Sequence, residues 1–160
     1  MTVADLPSEV DVLAKTLEWF RDQNHFTDDF YIYVDDTKNT NGQILDQVGP
    51  HTASTCAIGG VEHAIWLLTK ENVFAVREAA FMEEPTTRRR QPVLVLYVAV
   101  MRRLNRVARQ LYGDHGYETD PLRTIEQVTL IHEFDKVERY EAMRNVLRRA
   151  LRDARKEAAA

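Results

Sequence analysis

Apolar residues along most of this chain recur three or four positions apart, the spacing of one face of an α-helix. The clearest case runs from Val93 to Tyr112, with Pro92 at the first helical position that proline favours. Another begins after Asp135, which forms with Glu138 the pattern of a capping box. The periodicity predicts helices over about residues 7–24 (capped by Ser8 or Asp5), 54–71, 73–82, 93–112 and 121–132, and one from about residue 136 onward.

One short segment has the composition of a β-strand. Residues 30–34 are aromatic and β-branched, and a polar run ending in Asn41-Gly42 follows them. Residues 43–48 then return as a second strand. We therefore predict a mainly α protein, a single compact helical domain over residues 1–160 with a small β-hairpin near residues 30–48.

Two further features of the pattern concern packing and exposure. Gly59 and Gly60 lower the helix propensity of their segment, which indicates close packing against another element. Residues 85–92 begin and end with proline and form the predicted exposed loop. The apolar stripes predict three buried faces: Ala57, Val61, Ala64, Ile65 and Leu68; Tyr97, Val100, Leu104, Val107 and Leu111; and Val137, Tyr140, Leu147, Leu151 and Ala154.

Composition narrows the class of protein. Of 160 residues, 44% are hydrophobic and 29% are charged, as in ordinary globular proteins. No apolar run reaches the roughly 18 residues of a membrane span, and the acidic residues 1–11 lack the basic start of a secretory signal. A single cysteine excludes an internal disulfide framework and fits a reducing compartment. We expect a cytoplasmic protein without a membrane association.

Charge is distributed unevenly along the chain. Residues 1–50 hold ten acids and three bases, whereas residues 85–113 hold seven arginines and no acid. Residues 114–160 are nearly balanced, with ten acids and nine bases. The basic segment either faces an anionic partner or pairs with the acidic N-terminal third inside the same fold.

Two pieces of the sequence resemble a family of small actinobacterial and actinophage proteins of unknown function. Residues 56–60, Cys-Ala-Ile-Gly-Gly, are similar to the family's Cys-Ala-Ile-Gly helix start. Phe134-Asp135 stands where the family has a late Asn-Asp junction, so that the asparagine is missing here. The resemblance implies a compact helical fold and a phage origin, and it assigns no activity.

The lone cysteine lies at the start of a predicted helix, where backbone N–H groups favour a thiolate. A cysteine hydrolase would also need a base and an orienting acid, for which His132 and Asp135 are the candidates. The neighbours of Cys56 are small or apolar, and such a cysteine is usually a buried core residue. We therefore assign no catalytic residue and keep a Cys56-dependent hydrolase as a remote alternative.

Metal and nucleotide motifs are missing from the sequence. The five histidines are scattered, and the pairs Asp28-Asp29 and Asp35-Asp36 are typical of solvated turns. Neither the glycine-rich dinucleotide motif nor the phosphate-binding loop occurs. We predict no metal site and no cofactor.

The arginines of the basic segment are the strongest functional signal. Their planar guanidinium groups suit carboxylates and phosphates alike. The predicted contact residues are Arg88, Arg89 and Arg90 in the loop and Arg102, Arg103, Arg106 and Arg109 on the polar face of the next helix.

We therefore predict a non-enzymatic, phage-encoded interaction protein that binds a host or phage protein and also forms homo-oligomers. A surface with segregated charge steers such encounters. The alternative is an accessory protein that binds nucleic acid through the same arginines. The sequence carries no recognised DNA-binding motif and has a pI near 5.7, which favours the protein partner.

Overall fold

Four helices dominate the part of the chain that the computed structural model describes, namely residues 5–27, 32–33, 43–44, 48–73, 76, 91–113 and 135–160. The prediction of a mainly helical, compact fold is confirmed. The helices are α1 (Glu9–Trp19), α2 (Ala57–Thr69), α3 (Pro92–Tyr112) and α4 (Lys136–Ala159).

Helix α1 begins at a reciprocal cap. The backbone N–H of Asp11 donates to the Ser8 hydroxyl at 3.1 Å, and the Ser8 N–H donates to the Asp11 carboxylate at 2.9 Å. The helix ends at Trp19, five residues before the predicted end at residue 24. The predicted end is wrong because the Asp22 side chain accepts from the Asn24 N–H and caps a separate 3₁₀ turn, Gln23–His25.

Three short strands form a small antiparallel sheet. Strand β1 (Ile32–Tyr33) pairs with β2 (Gln43–Ile44) on one side and with β3 (Thr52–Ser54) on the other. The antiparallel pairing of β1 with β2 is the one that the predicted hairpin requires, and the residues that would form its turn lie outside the described part of the chain. Strand β3 includes Ser54, which the sequence places at the start of the helix over 54–71; that predicted start is wrong, because Cys56 is the N-cap and the helix begins at Ala57. Three residues of Thr-Ala-Ser carry too little alternation to indicate a strand.

Helices α1 and α2 approach each other closely at Gly60. A Cβ atom on that residue would lie 2.2 Å from Cε2 of Phe20, so the ring occupies the space that a side chain would need. The Phe20 ring is fully buried and meets Phe26 edge-on at 6.1 Å between centroids. The predicted close packing at the glycine pair is therefore confirmed for Gly60.

Helices α3 and α4 both begin where the sequence predicts. Pro92 is the first residue of α3, and the Asp135 carboxylate accepts from the Glu138 N–H at 2.8 Å at the start of α4. The Tyr140 hydroxyl on α4 donates to the carbonyl oxygen of Phe20, which ties α4 to the end of α1. The core between these helices includes Val100, Met101, Leu104, Met143, Val146 and Leu147.

Three residues of the predicted buried faces are exposed instead. Leu68 and Leu111 are each 40% exposed, and Val137 is 56% exposed. Each lies in the first or last two residues of its helix. Periodicity alone does not report where a neighbour ends.

Several predicted features fall outside the described residues. They are most of the helix over 73–82, the helix over 121–132, the loop as far as residue 90, and His132. None of the described helices combines the length and the apolar character needed to cross a bilayer.

We expect Gly60→Ala to lower the free energy of unfolding by about 1–3 kcal/mol, because the new methyl group overlaps the Phe20 ring. The sign is informative, since the same change in an exposed helix interior raises stability by about 1 kcal/mol. Urea denaturation followed by circular dichroism measures it. In the control Gly49→Ala the new Cβ has no heavy atom within 4 Å, and we expect a change below about 0.5 kcal/mol. Unchanged stability of Gly60→Ala would contradict the packing.

Candidate interaction surface

The seven predicted contact arginines do not form one surface. Arg88, Arg89 and Arg90 lie outside the described residues. On α3, Arg102 and Arg106 are exposed and Arg109 is half-buried. Helical spacing places these three on one face, as predicted.

Arg103 corrects the prediction, because it is buried with 6% of its surface exposed. Its Nε donates to Glu9 of α1 at 2.9 Å, and its two terminal nitrogens donate to the two carboxylate oxygens of Glu157 on α4. These hydrogen bonds, with Glu157 first and Glu9 second, raise the pKa of Arg103. Arg103 therefore joins α1, α3 and α4 and is unavailable to a partner.

A signal for this role was present in the sequence. Arg103 follows Val100 by three residues and precedes Val107 by four, which places it beside the apolar stripe of α3. Its pairing with Glu9 matches the alternative in which the basic segment pairs with the acidic N-terminal third.

The strongest basic surface of the described chain lies on α4, where the sequence reasoning did not place it. Between residues 144 and 156 the chain carries six bases and one acid, Asp153. The range 114–160 as a whole does not show this excess, because it holds nine further acids, including Glu157 directly after Lys156. We call five of these residues the α4 basic face: Arg148, Arg149, Arg152, Arg155 and Lys156, of which Arg149 is half-buried and the others are exposed.

A groove with an apolar floor runs along each side of this face. The α1–α4 groove has a volume of about 520 Å³, and its floor includes Leu17 and Leu151. The α3–α4 groove has a volume of about 420 Å³ and is lined by Leu111 and Tyr112. Arg148 and Arg152 line both grooves.

Few acids offset the charge of the α4 basic face. Asp153 lies 3.4 Å from Arg149 and 3.8 Å from Arg152, and so neutralises part of the α3–α4 side. None of the described residues that line the two grooves is acidic. A carboxylate entering between the arginines would therefore meet positive charge from two turns of one helix.

Cys56 is the N-cap of α2, and it is buried with 7% of its surface exposed. Its Sγ accepts from the Gly59 N–H at 3.4 Å. Asp135, the second residue of the remote catalytic set, caps α4 through the Glu138 N–H. An aspartate is a preferred N-cap residue, so the cap hydrogen bond accounts for Asp135 at the start of α4.

A cluster of aromatic and histidine rings covers the junction of α1 and α2. The Trp19 ring stacks on His25 at 3.8 Å between centroids and lies 4.3 Å from His63. Burial, followed by the positive charges of His25 and Lys70, lowers the pKa of His63 to about 4. His63 therefore packs as a neutral ring at neutral pH.

Metal-binding geometry is not found in the described residues. No three histidine, cysteine, aspartate or glutamate side chains there are grouped to hold an ion. Asp28, Asp29, Asp35 and Asp36 lie outside those residues.

Comparison with known proteins matches the chain to no protein-family model, no curated protein and no solved structure. The resemblance carried by residues 56–60 and by Phe134-Asp135 stays a prediction.

We expect Arg103→Met to lower the free energy of unfolding by about 1–2 kcal/mol. The double variant Glu9→Gln with Glu157→Gln should lower the free energy of unfolding by more. After Arg103→Met, both carboxylates can rehydrate, since Glu9 is 31% and Glu157 is 64% exposed. The two amides instead leave the charge of Arg103 buried and uncompensated. Urea denaturation measures the free energy of unfolding of both variants, with Arg102→Met, a change of an exposed arginine, as the control. A larger loss in Arg103→Met than in the double glutamine variant would contradict the role of Arg103.

We expect stability to fall as the pH drops from 6.5 to about 4, because the unfolded chain protonates His63 in that window and the folded chain does not. The loss from His63 is at most about 1.4 kcal/mol per pH unit. Denaturation at several pH values should show a shallower slope for His63→Gln than for the wild type. Equal slopes for His63→Gln and the wild type would contradict the neutral burial.

Proposed function

We propose that this protein is a non-enzymatic interaction protein whose α4 basic face binds an acidic, amphipathic segment of a partner protein. The observation that carries the proposal is the pair of grooves beside α4, which join an apolar floor to an arginine rim. An amphipathic helix with carboxylates beside its apolar stripe has the matching chemistry. The partner is a host or phage protein in the cytoplasm, as the sequence predicts.

The apolar floor supports a protein partner over a nucleic acid. Leu17 in one groove and Leu111 in the other offer apolar surface that a phosphate backbone has no means to cover. Burying such surface contributes about 25 cal/mol per Å² to binding a peptide. Leu111 is 40% exposed in the free chain and would lose that exposure under a bound helix.

The arginines at the rim of the grooves orient a docked segment and raise the rate at which an acidic partner associates. Arginine forks hold carboxylates with two parallel hydrogen bonds, which fixes the register of a docked segment. A concentrated basic face also speeds encounter with an acidic partner, and this effect weakens as salt is added. The exposed Arg102 and Arg106 on α3 belong to neither groove.

Selection from a display library of random peptides on the immobilised protein tests the proposal. We expect the enriched peptides to place aspartate or glutamate beside leucine or phenylalanine at helical spacing. Reversing the rim with Arg148→Glu and Arg152→Glu should weaken their binding by about tenfold or more.

The matched control is Arg102→Glu with Arg106→Glu, an equal change of charge on α3. It should leave peptide affinity within about threefold. An equal loss in both variants would show that net charge matters rather than the grooves. Failure to enrich acidic amphipathic peptides would overturn the proposal.

Nucleic acid is tested beside the peptides with a duplex DNA of random sequence. Binding with a steep salt dependence that Arg148→Glu and Arg152→Glu abolish, without any peptide enrichment, would replace the proposal by the nucleic-acid alternative.

A further inference from the structure

A third groove, between α1 and α2, has charge opposite to that of the α4 basic face. It has a volume of about 310 Å³ and carries Asp5, Asp11 and Glu18 against the single base Lys15. The Lys15 Nζ lies 3.6 Å from a carboxylate oxygen of Glu18, so that these two side chains form an ion pair within the groove. We call this groove the acidic groove.

The acidic groove also has an apolar floor. Leu6, Pro7, Ala14 and Leu68 line it, and Leu68 is 40% exposed. Two of the four exposed large apolar side chains of the described residues therefore lie in grooves of opposite charge, Leu68 in the acidic groove and Leu111 beside the α4 basic face.

The two charged surfaces lie on different sides of α1 and cannot meet within one molecule. Leu17 faces the α1–α4 groove, whereas the next residue, Glu18, lines the acidic groove about 100° further around the helix. Contact between them requires another copy of the chain.

We propose that the partner of the α4 basic face is a second copy of this chain, and that the acidic groove of each copy receives the α4 basic face of the other. The inference rests on the proposed function, because it uses the same arginines and names what covers them. Charge complementarity carries it: Arg148, Arg152, Arg155 and Lys156 on one surface meet the net negative groove on the other.

Reciprocal docking closes the assembly as a dimer. Both surfaces border α1. A two-fold axis beside α1 therefore allows the α4 basic face of each copy to dock in the acidic groove of the other at the same time. An isologous interface of this kind is the commonest closed symmetry among soluble oligomers.

Charge exchange between two variants tests the dimer by sedimentation equilibrium at low salt. We expect the wild type to dimerise, with an affinity that falls as salt is added. Arg148→Glu with Arg152→Glu, and separately Asp5→Lys with Glu18→Lys, should each raise the dissociation constant by about tenfold or more.

An equimolar mixture of the two reversed variants should dimerise again, because each copy then presents surfaces opposite in charge to those of the other. A non-specific effect of net charge does not predict that the mixture recovers dimerisation when each reversed variant by itself has lost it. The matched controls are Arg102→Glu with Arg106→Glu and Glu138→Lys with Glu141→Lys, which change exposed residues outside all three grooves. Both controls should keep the wild-type dissociation constant within about threefold.

A wild type that stays monomeric at low salt would overturn the dimer while leaving peptide selection intact. Reversed variants that dimerise like the controls, or a mixture that stays monomeric, would also overturn it. Conversely, a charge-dependent dimer together with no enrichment of acidic peptides would overturn the proposal of a separate partner protein and support the dimer.

Discussion

The packing of α1 against the other three helices is the constraint on which this fold depends. The helix has 11 residues, and it meets α2 through the contact of Phe20 with Gly60, α3 through Glu9, and α4 where Tyr140 reaches the Phe20 carbonyl. What is left of the helix surface borders two grooves, so the packing that builds the core also defines the surfaces available to a partner.

Arg103 shows how the fold assigns charged residues to different roles. Four arginines of α3 have the same chemistry in the sequence, yet one is enclosed by two carboxylates from α1 and α4. A buried guanidinium is tolerated when its donors are satisfied, and removal of its partners is costly. The pair therefore fixes the positions of α1 and α4 along α3, and the arginines that face solvent are free to act elsewhere.

The surface charge of the molecule is more ordered than its net charge of −4 suggests. The described residues separate an acidic groove beside α1 from a basic face on α4, each next to exposed apolar side chains. Charge of one sign next to an apolar floor is typical of surfaces that bind partners rather than of surfaces that only keep a protein dissolved. This arrangement supports both the proposed partner binding and the proposed dimer.

Local signals in the sequence determined the four described helices and the starts of α1, α3 and α4, but not the first residue of α2. Ser8, Pro92 and Asp135 act within one turn of the backbone, so their effect is legible without knowledge of neighbours. Tertiary structure decided which arginine is buried, where α1 stops, and which bases form one surface. These outcomes depend on contacts between residues far apart in sequence, such as Arg103 with Glu9, and no local pattern records which helix will lie beside which.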